Sequence, residues 1–485
     1  MAAHPISEPV IVDGKRVTGD ATRLVTNPAD GSVLGEVPQA DDAAIDAAIE
    51  AASAAFPGWA GLPAEQRADY LARLGDWLAG NTGYVSRLIT LEQGKPLSEA
   101  RSEVAQAAKS FRYYAAEALR VTGETIPTSS PTIRSRVMYQ PLGVAACFAG
   151  FNYPLGLMSW KVAPALAAGC TVVAKPSVAT PFSTLALARG ANEDCGLPPG
   201  VFNVVTGPGE AVGDRLVTHP AVRKVSFTGS TATGTKILRR ASAAIKRVTL
   251  ELGGHSPLIV AADAPLGLAV KDAAKRAFRN AGQLCNSVNR VYVQASVAEE
   301  LTAGLVAATR RLTAGFGLDD PEPDLGPLTT GEGLARVQRH VRDALDHGGT
   351  LLTGGGRPPG RRLADGLFYQ PTVISGATDD MLICCEETFG PVVPIVVVAD
   401  MEEAFERANS LEYGLVAYLY TRDLRLATLG AERLEFGTVN INNVGGGDVP
   451  YPYAGWKKSG LGTELSRHGL KEYLAVKHVR EEVGY

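Results

Sequence analysis

Short apolar runs alternate with helical stretches along most of this 485-residue chain. Between residues 143 and 260 the runs are GVAACFAG, CTVVAK, VFNVVTG, KVSFTG and VTLELGG. Stretches of roughly 10–15 residues with helical periodicity separate them, which is typical of βαβ units. Because consecutive parallel strands need a long crossover, this alternation predicts an α/β fold with helices packed on a parallel sheet.

A second series of the same kind occupies residues 257 to about 430. Its apolar runs are LIVAAD, RVYVQ and PIVVV, and helices are predicted over 266–281, 297–314 and 402–409. A chain of this length exceeds what one hydrophobic core usually supports. We therefore predict two consecutive α/β units that meet near the glycines of ELGG at 253–254.

The N-terminal region has a different pattern. In IVDGKRV the dipeptide Asp13-Gly14 predicts a β-hairpin between two short strands. Apolar residues at helical spacing then predict helices over 41–56, 63–80 and about 97–118.

Two further segments, 120–138 and 466–485, fit neither α/β unit and are candidates for an oligomerisation arm. The predicted division of the chain has three parts: 1–119 with 139–253, then 254–465, and the arm formed by 120–138 with 466–485.

The composition argues against several classes of protein. The chain is 45% hydrophobic and 20% charged, with a net charge of −4 and no block of like charges. No basic face for a nucleic acid is therefore expected. Six scattered cysteines lack the spacing of a disulfide framework or a zinc site, so no metal is predicted.

Two segments bear on the cellular location. The first twenty residues lack the apolar core of a secretion signal, which favours a cytoplasmic protein. Residues 137–160 carry no charged side chain and are long enough to span a bilayer. Prolines, glycines and polar residues interrupt that run, so we predict buried strands and turns there and no membrane span.

The segment FTGSTATG at 227–234 is a candidate phosphate site. Gly229 follows the predicted strand KVSF, and Ser230 opens a predicted helix over 231–241. Glycine permits a tight turn, serine can cap the helix, and the free N–H groups with the helix dipole attract a pyrophosphate. An ordinary helix cap explains the same residues. The segment 207–213 also contains three glycines, but their spacing is one residue too long to match GxGxxG.

Cys285 differs from the other five cysteines in its surroundings. It lies in FRNAGQLCNSVNRVYV, in a predicted loop between a helix and a strand, with Gln283, Asn286 and Asn289 close by in sequence. A polar loop favours an open cleft, whereas a lone cysteine is more often a small buried hydrophobe. The buried interpretation is kept for Cys147, Cys170, Cys195, Cys384 and Cys385.

Several short motifs in a fixed order identify a resemblance. They are Asn152 in GFNYPL, KPS at 175–177, FTGS, ELGG with Glu251, GQxC with Cys285, EETFGP at 386–391 and SGLG at 459–462. Over nearly its whole length the chain resembles the aldehyde dehydrogenase superfamily. EQGKP at 92–96, FRNAGQ and FTGST look most like the succinate-semialdehyde dehydrogenase branch.

The resemblance implies a fold and an assembly. The first unit would be a Rossmann-like nicotinamide cofactor domain, the second an α/β catalytic domain, and the arm a small β structure of a homodimer or homotetramer. It implies oxidation of an aldehyde to a carboxylic acid.

The resemblance also implies catalytic roles for four residues. Cys285 would attack the aldehyde carbonyl and form a thiohemiacetal and then a thioester. Asn152 would donate a side-chain N–H to the developing oxyanion, together with the backbone N–H of Cys285. Glu251 would activate the water that hydrolyses the thioester, which argues against transfer to coenzyme A. Lys161 would assist proton transfer, although its sequence context alone favours a surface lysine at a helix end.

Cofactor contacts follow from the same motifs. Lys175 would hold the adenosine ribose, Gly229 and Ser230 the pyrophosphate, and Glu387 the nicotinamide ribose, with Phe389 beside the nicotinamide. The remaining predicted cofactor residues are Phe151, Ser177, Val178 and Gly253. Val178 stands where relatives that prefer NAD commonly carry a glutamate for the ribose 2′-OH, so NADP is expected to be used at least as well as NAD.

The predicted substrate residues favour two different classes of aldehyde. Arg279 matches one arginine of the carboxylate site of the semialdehyde branch, but Trp160 replaces the other. The other predicted substrate residues are Tyr153, Leu284 and Tyr453. Arg279 favours succinate semialdehyde or a related semialdehyde, whereas the aromatic residues favour an aminoaldehyde, betaine aldehyde or an aromatic aldehyde. A catalytically inactive relative is a further alternative, which intact Cys285 and Glu251 disfavour.

Overall fold

Twenty-two strands and sixteen α-helices make up the part of the chain that the computed structural model describes, residues 5–19 and 21–484. The strands are β1 (Val10–Val12), β2 (Lys15–Val17), β3 (Thr22–Thr26), β4 (Val33–Pro38), β5 (Glu124–Ile126), β6 (Ile133–Pro141), β7 (Val144–Phe148), β8 (Thr171–Lys175), β9 (Phe202–Val204), β10 (Val222–Thr228), β11 (Arg247–Glu251), β12 (Ser256–Val260), β13 (Val288–Gln294), β14 (Thr350–Thr353), β15 (Thr372–Ser375), β16 (Val392–Val398), β17 (Tyr413–Gly414), β18 (Val416–Tyr420), β19 (Thr438–Ile441), β20 (Trp456–Lys457), β21 (Gly460–Leu461) and β22 (Leu474–Glu482). The helices are α1 (Asp42–Gly61), α2 (Ala64–Gly80), α3 (Thr82–Gln93), α4 (Leu97–Ala118), α5 (Pro154–Ala168), α6 (Phe182–Arg189), α7 (Gly209–Thr218), α8 (Thr231–Ser242), α9 (Leu266–Phe278), α10 (Ala298–Arg310), α11 (Gly331–Asp346), α12 (Arg361–Ala364), α13 (Leu382–Cys385), α14 (Met401–Asn409), α15 (Leu424–Arg433) and α16 (Ser466–Lys471).

The N-terminal elements match most of the sequence expectations. β1 and β2 pair antiparallel around Asp13 and Gly14, whose φ angles of 53° and 69° suit the predicted two-residue turn. The three predicted helices correspond to α1, α2 and α4, and the side chain of Asp41 caps α1 by accepting from the N–H of Ala44 at 2.8 Å. Helix α3 was not predicted.

The first parallel sheet has the strand order β21-β11-β10-β7-β8-β9. Its five parallel strands are the five apolar runs of residues 143–260, and helices connect β7 to β8, β8 to β9, β9 to β10 and β10 to β11. β7 and β8 are buried at every position, as expected for strands covered on both faces. Because these strands run in the same direction, their carboxyl ends meet at one edge of the sheet.

The second sheet has the order β14-β15-β16-β13-β12-β18-β19. All of its neighbouring strands are parallel except the β14–β15 pair. β12, β13 and β16 are the predicted runs LIVAAD, RVYVQ and PIVVV. Helix α9 ends at Phe278, three residues before the predicted end, because the backbone leaves the helix there.

Buried side chains form three hydrophobic clusters. One lies between the first sheet and helices that include α2, α4 and α5, a second lies on the other face of that sheet under α1 and α7, and the third fills the second α/β unit. Each sheet therefore has its own core, as a chain of this length requires.

Two features link the parts of the chain. β21 pairs antiparallel with β11, so the chain returns from the second sheet to the first after residue 441. β22, β6 and β5 form a separate three-stranded antiparallel sheet from the segments around 124–141 and 474–482.

The uncharged run 137–160 divides into the end of β6, the buried strand β7 and the first part of α5. The prediction of buried strands and turns is confirmed for β7 and the turn after it, but it is wrong for residues 154–160, which form the first part of α5, and the end of β6 is not fully buried. Among the described helices, none combines the length and the apolar character needed to cross a membrane.

Candidate active site

Two cavities lie near the carboxyl ends of the first sheet's parallel strands. The large cavity measures about 660 Å³, and the small cavity about 180 Å³. Phe151 lines the large cavity and the next residue, Asn152, lines the small one. The turn that follows β7 therefore separates the two cavities.

The large cavity collects six of the predicted cofactor residues. They are Phe151, Lys175, Ser177, Val178, Gly229 and Ser230. Four cationic side chains also line it, of which Lys236 pairs with Glu210 at 3.7 Å and Arg240 with Asp214 at 3.1 Å. The other two cations are Lys175 and Arg239. The cavity is therefore suited to an anion.

The helix N-terminus in FTGS is formed as predicted. The Ser230 Oγ accepts from the N–H of Thr233 at 3.2 Å and caps α8. A Cβ on Gly229 would lie 2.4 Å from the ring of Phe227, so only glycine fits at this turn. The free N–H groups of the first helical turn lie at a cavity wall, where they attract negative charge.

Lys175 ends β8 and is 6% exposed. Its Nζ donates to the carbonyl of Pro176 at 3.0 Å. Burial, with a smaller contribution from nearby Arg23, lowers the pKa of Lys175 to about 8. An anionic ligand in the large cavity would stabilise the charged form of this amine.

The small cavity collects all five predicted substrate residues and two of the four predicted catalytic residues. These seven are Asn152, Tyr153, Trp160, Arg279, Leu284, Cys285 and Tyr453. They come from α5, the loop after α9 and the segment before β20, so residues far apart in sequence share one wall.

The loop that carries Cys285 has an unusual backbone. Asn280, Ala281 and Gly282 have φ angles of 49°, 52° and 71°, all in the left-handed region. A Cβ on Gly282 would lie 2.1 Å from the carbonyl oxygen of Gly390, so glycine is required there. Each non-glycine residue in such a conformation costs about 1–3 kcal/mol, which tertiary contacts must offset. This strained segment is the reason that α9 stops short of its predicted end.

A buried hydrogen-bond network holds this loop against Asn152. The Nδ2 of Asn152 donates to the carbonyl of Gln283 at 3.0 Å, and the Nδ2 of Asn280 donates to the carbonyl of Asn152 at 3.1 Å. Lys95 donates to the same Asn152 carbonyl at 2.7 Å and pairs with Glu103 at 2.6 Å. The network fixes the Asn152 amide beside Cys285 and leaves its second N–H for a ligand.

Cys285 is partly exposed to the small cavity. Burial raises the pKa of its thiol to about 12, while a hydrogen bond with Tyr453, whose Oη lies 3.4 Å from the Sγ, lowers it. A Cβ on Gly254 would lie 2.2 Å from the Cys285 carbonyl oxygen, which explains the second glycine of ELGG.

Four of the other five cysteines are buried, as predicted. The prediction is wrong for Cys385, which is partly exposed at the C-terminal end of α13. A four-residue helix is too short to cover its own last side chain.

Glu251 lies at the end of β11 and is 3% exposed. Within the described residues neither of its carboxyl oxygens has a hydrogen-bond partner. Burial raises the pKa of Glu251 well above its ordinary range, and nearby Glu464 raises it further, while Lys161 lowers it. A buried carboxyl group with a raised pKa can act as a base once it loses its proton.

Lys161 is fully buried, so the interpretation as a surface lysine is wrong. Its Nζ donates to the Oγ1 of Thr228 at 2.7 Å and forms an ion pair with Glu464. Glu464 was not predicted as a site residue, and it also accepts from the Oγ of Ser226 at 3.1 Å. Glu464 lies more than two hundred residues from its partners in sequence, and no motif signalled it.

The last three predicted cofactor residues line neither cavity and cluster between the sheets. The Oε1 of Glu387 accepts from the N–H of Gly254 at 3.0 Å, and a Cβ on Gly253 would lie 2.8 Å from the Oε2. Burial raises the pKa of Glu387 to about 7. Phe389, with a φ of 50°, packs edge-on against Phe151 with 5.7 Å between the ring centroids.

Two arginines line the small cavity, although only one was predicted. Arg279 lies 3.8 Å from Glu99. Arg276, one helical turn earlier on α9, also lines the cavity and donates to the Oδ1 of Asn286 at 3.3 Å and to the carbonyl of Val444. Arg276 lies in the last turn of α9 and Arg279 directly follows the last residue of that helix, so both side chains reach the same cavity.

Fold and site together define an α/β enzyme in which a loop cysteine faces a small cavity beside a larger, cation-lined one. No cluster of metal-binding side chains occurs in the described ranges 5–19 and 21–484.

Comparison with known proteins gives the family. The model of the aldehyde dehydrogenase family matches residues 17–479, and the chain belongs to this family. The protein is therefore an oxidoreductase that acts on aldehydes. Members of the family use NAD or NADP.

Three similar proteins illustrate the range of relatives. The chain is 42% identical over 470 residues to a glutarate-semialdehyde dehydrogenase of Pseudomonas aeruginosa, covering 96% of each chain. It is also 42% identical over 455 residues to a succinate-semialdehyde dehydrogenase [NADP(+)] of Escherichia coli, covering 94% of this chain and 93% of that one. The crystal structure of betaine aldehyde dehydrogenase from Staphylococcus aureus in complex with NAD+ has a TM-score of 0.96 at 34% identity, covering 99% and 95% of the two chains.

Proposed function

We propose that this protein oxidises a short aldehyde carrying a remote carboxylate to the dicarboxylic acid, with NADP or NAD as hydride acceptor and a thioester on Cys285. The observation that carries this proposal is the small cavity, in which Cys285, Asn152 and Arg279 share one wall. A nucleophile, an oxyanion donor and a cation for the substrate tail are thereby within reach of one small molecule.

The large cavity fits a nicotinamide dinucleotide. Its volume of about 660 Å³ lies within the usual range of ligand sites, roughly 300–1,000 Å³. The N-terminus of α8 and Lys175 suit the phosphates and ribose, and Glu387 is a hydrogen-bond acceptor for ribose hydroxyls once ionised. When bound there, the nicotinamide supplies the hydride acceptor for the oxidation.

Val178 supports the use of NADP. A valine offers no acceptor to a ribose 2′-OH and no negative charge against a 2′-phosphate. Val178 lines the large cavity with Lys175 and Arg239, whose charges favour the additional phosphate.

In the first half-reaction the Cys285 thiolate attacks the aldehyde carbon. A C–S bond forms, and the carbonyl π electrons move to the oxygen. The free N–H of Asn152 and the backbone N–H of Cys285 donate to this oxyanion; each such donor stabilises the transition state by about 3 kcal/mol. Loss of hydride from the same carbon then leaves the thioester.

In the second half-reaction Glu251 takes a proton from water, and the hydroxide attacks the thioester carbon. The C–S bond breaks, which restores the thiolate and releases the carboxylic acid, whose proton is lost to solvent. Lys161 and Glu464 lie beside Glu251, and their ion pair provides acceptors and donors for moving the proton away.

The substrate proposal rests on charge. Arg276 and Arg279 both line the small cavity, while the two carboxylates that also line it, Glu103 and Asp448, are paired with Lys95 and Lys109. A cationic tail such as that of betaine aldehyde is therefore disfavoured there. The aromatic pair of Trp160 and Tyr453, with centroids 5.7 Å apart, is the feature that favours a cation. Since the printed names of two 42% identical relatives are semialdehyde dehydrogenases, we favour succinate or glutarate semialdehyde.

The test is NAD(P)H formation with succinate semialdehyde, glutarate semialdehyde, betaine aldehyde and propanal. We expect the two semialdehydes to give the highest kcat/KM and Cys285→Ala to abolish NAD(P)H formation. Arg279→Ala should lower kcat/KM for the semialdehydes roughly 10–100-fold, the value of a charged hydrogen bond, and spare propanal. Arg342→Ala, at an exposed position, is the control. Equal losses for propanal and the semialdehydes, or activity of Cys285→Ala, would overturn the proposal.

We also propose that the sheet of β22, β6 and β5 is the predicted arm of a homodimer or homotetramer. β22 is an edge strand, and Ile126, Met138 and Val476 expose apolar side chains on this sheet. Light scattering after size exclusion should give an oligomer that Val476→Lys weakens. A monomer at all concentrations would contradict the proposal.

A further inference from the structure

The charges around the Cys285 sulfur do not favour a thiolate. Burial and the carboxyl groups of Glu251 and Glu387 all raise the pKa of the thiol. Titratable groups face it from several elements: Glu251 at the end of β11, Glu387 after α13, Tyr418 on β18, Tyr453 before β20, and Arg276 and Arg279 on the cavity wall contributed by α9 and the loop after it. Neither arginine is a leading cause of the shift in the pKa of the thiol.

One side chain directly favours the Cys285 thiolate. In the part of the chain that the structure describes, Tyr453 is the only residue whose side chain forms a hydrogen bond with the sulfur, at 3.4 Å. The phenol is the stronger donor of the two groups, since a thiol donates weakly. Asn152 is separate from this role: one of its N–H groups donates to the carbonyl of Gln283 at 3.0 Å, and the other is assigned to the oxyanion.

The fold holds the Tyr453 phenol in position. The backbone N–H of Tyr453 donates to the Glu464 carbonyl at 2.9 Å, and the N–H of Glu464 donates back at 2.8 Å. The ring packs edge-on against Trp160 and is 3% exposed. Burial raises the pKa of Tyr453 well above its ordinary value, so the hydroxyl keeps its proton and remains a donor.

We propose that Tyr453 is a catalytic residue whose hydroxyl donates a hydrogen bond to the Cys285 sulfur and stabilises the attacking thiolate. The thiol proton leaves for water, and the phenol proton stays on Tyr453. This inference rests on the proposed role of Cys285 as the nucleophile. Tyr453 was predicted only as a wall of the substrate site, and this assignment gives its hydroxyl a separate role from its ring.

The test is alkylation of the protein by iodoacetamide as a function of pH, with the Cys285 peptide quantified by mass spectrometry. Tyr453→Phe keeps the ring and removes the donor. We expect its alkylation midpoint to move up by about one pH unit, equivalent to roughly tenfold slower labelling at pH below both midpoints. At a fixed pH below that midpoint, kcat/KM should fall by the same factor.

Two controls make the result specific. Tyr420→Phe removes a buried hydroxyl that donates to Asp272 at 2.8 Å, away from the sulfur, and should leave the midpoint unchanged. Incorporation of 3-fluorotyrosine at position 453, a stronger donor of similar size, should move the midpoint down. It also provides an answer if Tyr453→Phe does not fold.

The outcomes separate this inference from the proposed function. An unchanged midpoint in Tyr453→Phe, or in the fluorotyrosine protein, would overturn the role of Tyr453 and leave Cys285 as the nucleophile. Full activity of Cys285→Ala would instead overturn the proposed function. Opposite shifts in the two Tyr453 proteins, with Cys285→Ala inactive, would support both.

Discussion

The two cavities meet at Phe151 and Asn152 but are built from different kinds of groups. The large cavity is bounded by strand ends, glycines and the N-terminus of α8, so backbone N–H groups supply much of its chemistry. In the small cavity and behind it, buried side chains supply the chemistry, and burial raises the pKa of both Cys285 and Glu251. A backbone-built site distributes binding over many groups, whereas a side-chain site concentrates it in a few. Substitutions in and behind the small cavity should therefore lower activity far more than substitutions in the large cavity.

After the loss of activity in Cys285→Ala, the largest effect is expected for Glu251→Gln. Removal of the base should slow thioester hydrolysis by about 10²–10⁴-fold and leave the first half-reaction intact. Rapid mixing should then show one equivalent of NAD(P)H per site followed by slow turnover. Glu432→Gln, at an exposed position, is the control for the same chemical change. Steady turnover within tenfold of the parent protein would refute the role of Glu251.

The raised pKa of Glu251 also predicts a pH dependence. Only the ionised carboxylate accepts a proton from water, and a raised pKa means that this form becomes abundant only as the pH increases. In the parent protein, the rate of thioester hydrolysis should therefore increase from neutral to alkaline pH. In Glu251→Gln this increase should vanish.

The next largest effect is expected for Asn152→Ala. Loss of one oxyanion donor should lower kcat by about 10²–10³-fold, with a much smaller change in KM. The Cys285 alkylation rate and the Tm should be measured alongside, because the Asn152 amide also anchors the carbonyl of Gln283. A loss confined to KM would place Asn152 in substrate binding only.

In the large cavity Val178→Glu should shift cofactor preference without abolishing activity. The carboxylate would accept from a ribose 2′-OH and repel a 2′-phosphate, so the NADP-to-NAD ratio of kcat/KM should fall about tenfold or more. Val178→Gln, which accepts without the charge, should shift the ratio less. A parent enzyme that already prefers NAD strongly would contradict the premise.

The smallest effect is expected for Ser230→Ala. Loss of the cap of α8 costs about 1 kcal/mol, which corresponds to roughly fivefold weaker cofactor binding if the cap orients the helix N-terminus. Titration of cofactor fluorescence measures this change. Thr330→Ala removes the equivalent cap of α11, where the Oγ1 accepts from Gly333 at 3.1 Å outside both cavities, and should not alter binding. Effects of similar size at Ser230 and Asn152 would remove the distinction between the cavities.

Much of the fold was predictable because its signals are local. The five apolar runs of residues 143–260 became β7 to β11, and the Asp13-Gly14 hairpin formed where expected. Helix α3 was missed; its sequence TGYVSRLITLEQ contains Gly83 and four β-branched residues, which have low helix propensity. The end of α9 was misplaced because the left-handed backbone at 280–282 depends on contacts with Gly390, a hundred residues away.

The candidate site divides in the same way. Motif spacing brought Cys285, Asn152 and Arg279 to attention, and all three line the small cavity. Glu464 and Arg276 were missed, since nothing in their sequence neighbourhood distinguishes them from other charged residues. The burial of Lys161 was also unpredictable, because an ion pair with a residue three hundred positions away makes it possible.

The sequence by itself determined the α/β architecture and the family, and it indicated the proposed reacting groups, since these depend on residue type, order and periodicity. Only the tertiary structure decided in which direction the pKa values of those groups are shifted. Whether a carboxyl or thiol is charged depends on its burial and on neighbours from other elements. Glu464 beside Lys161 and Tyr453 beside Cys285 are such neighbours, brought together when the chain returns to the first sheet through β21.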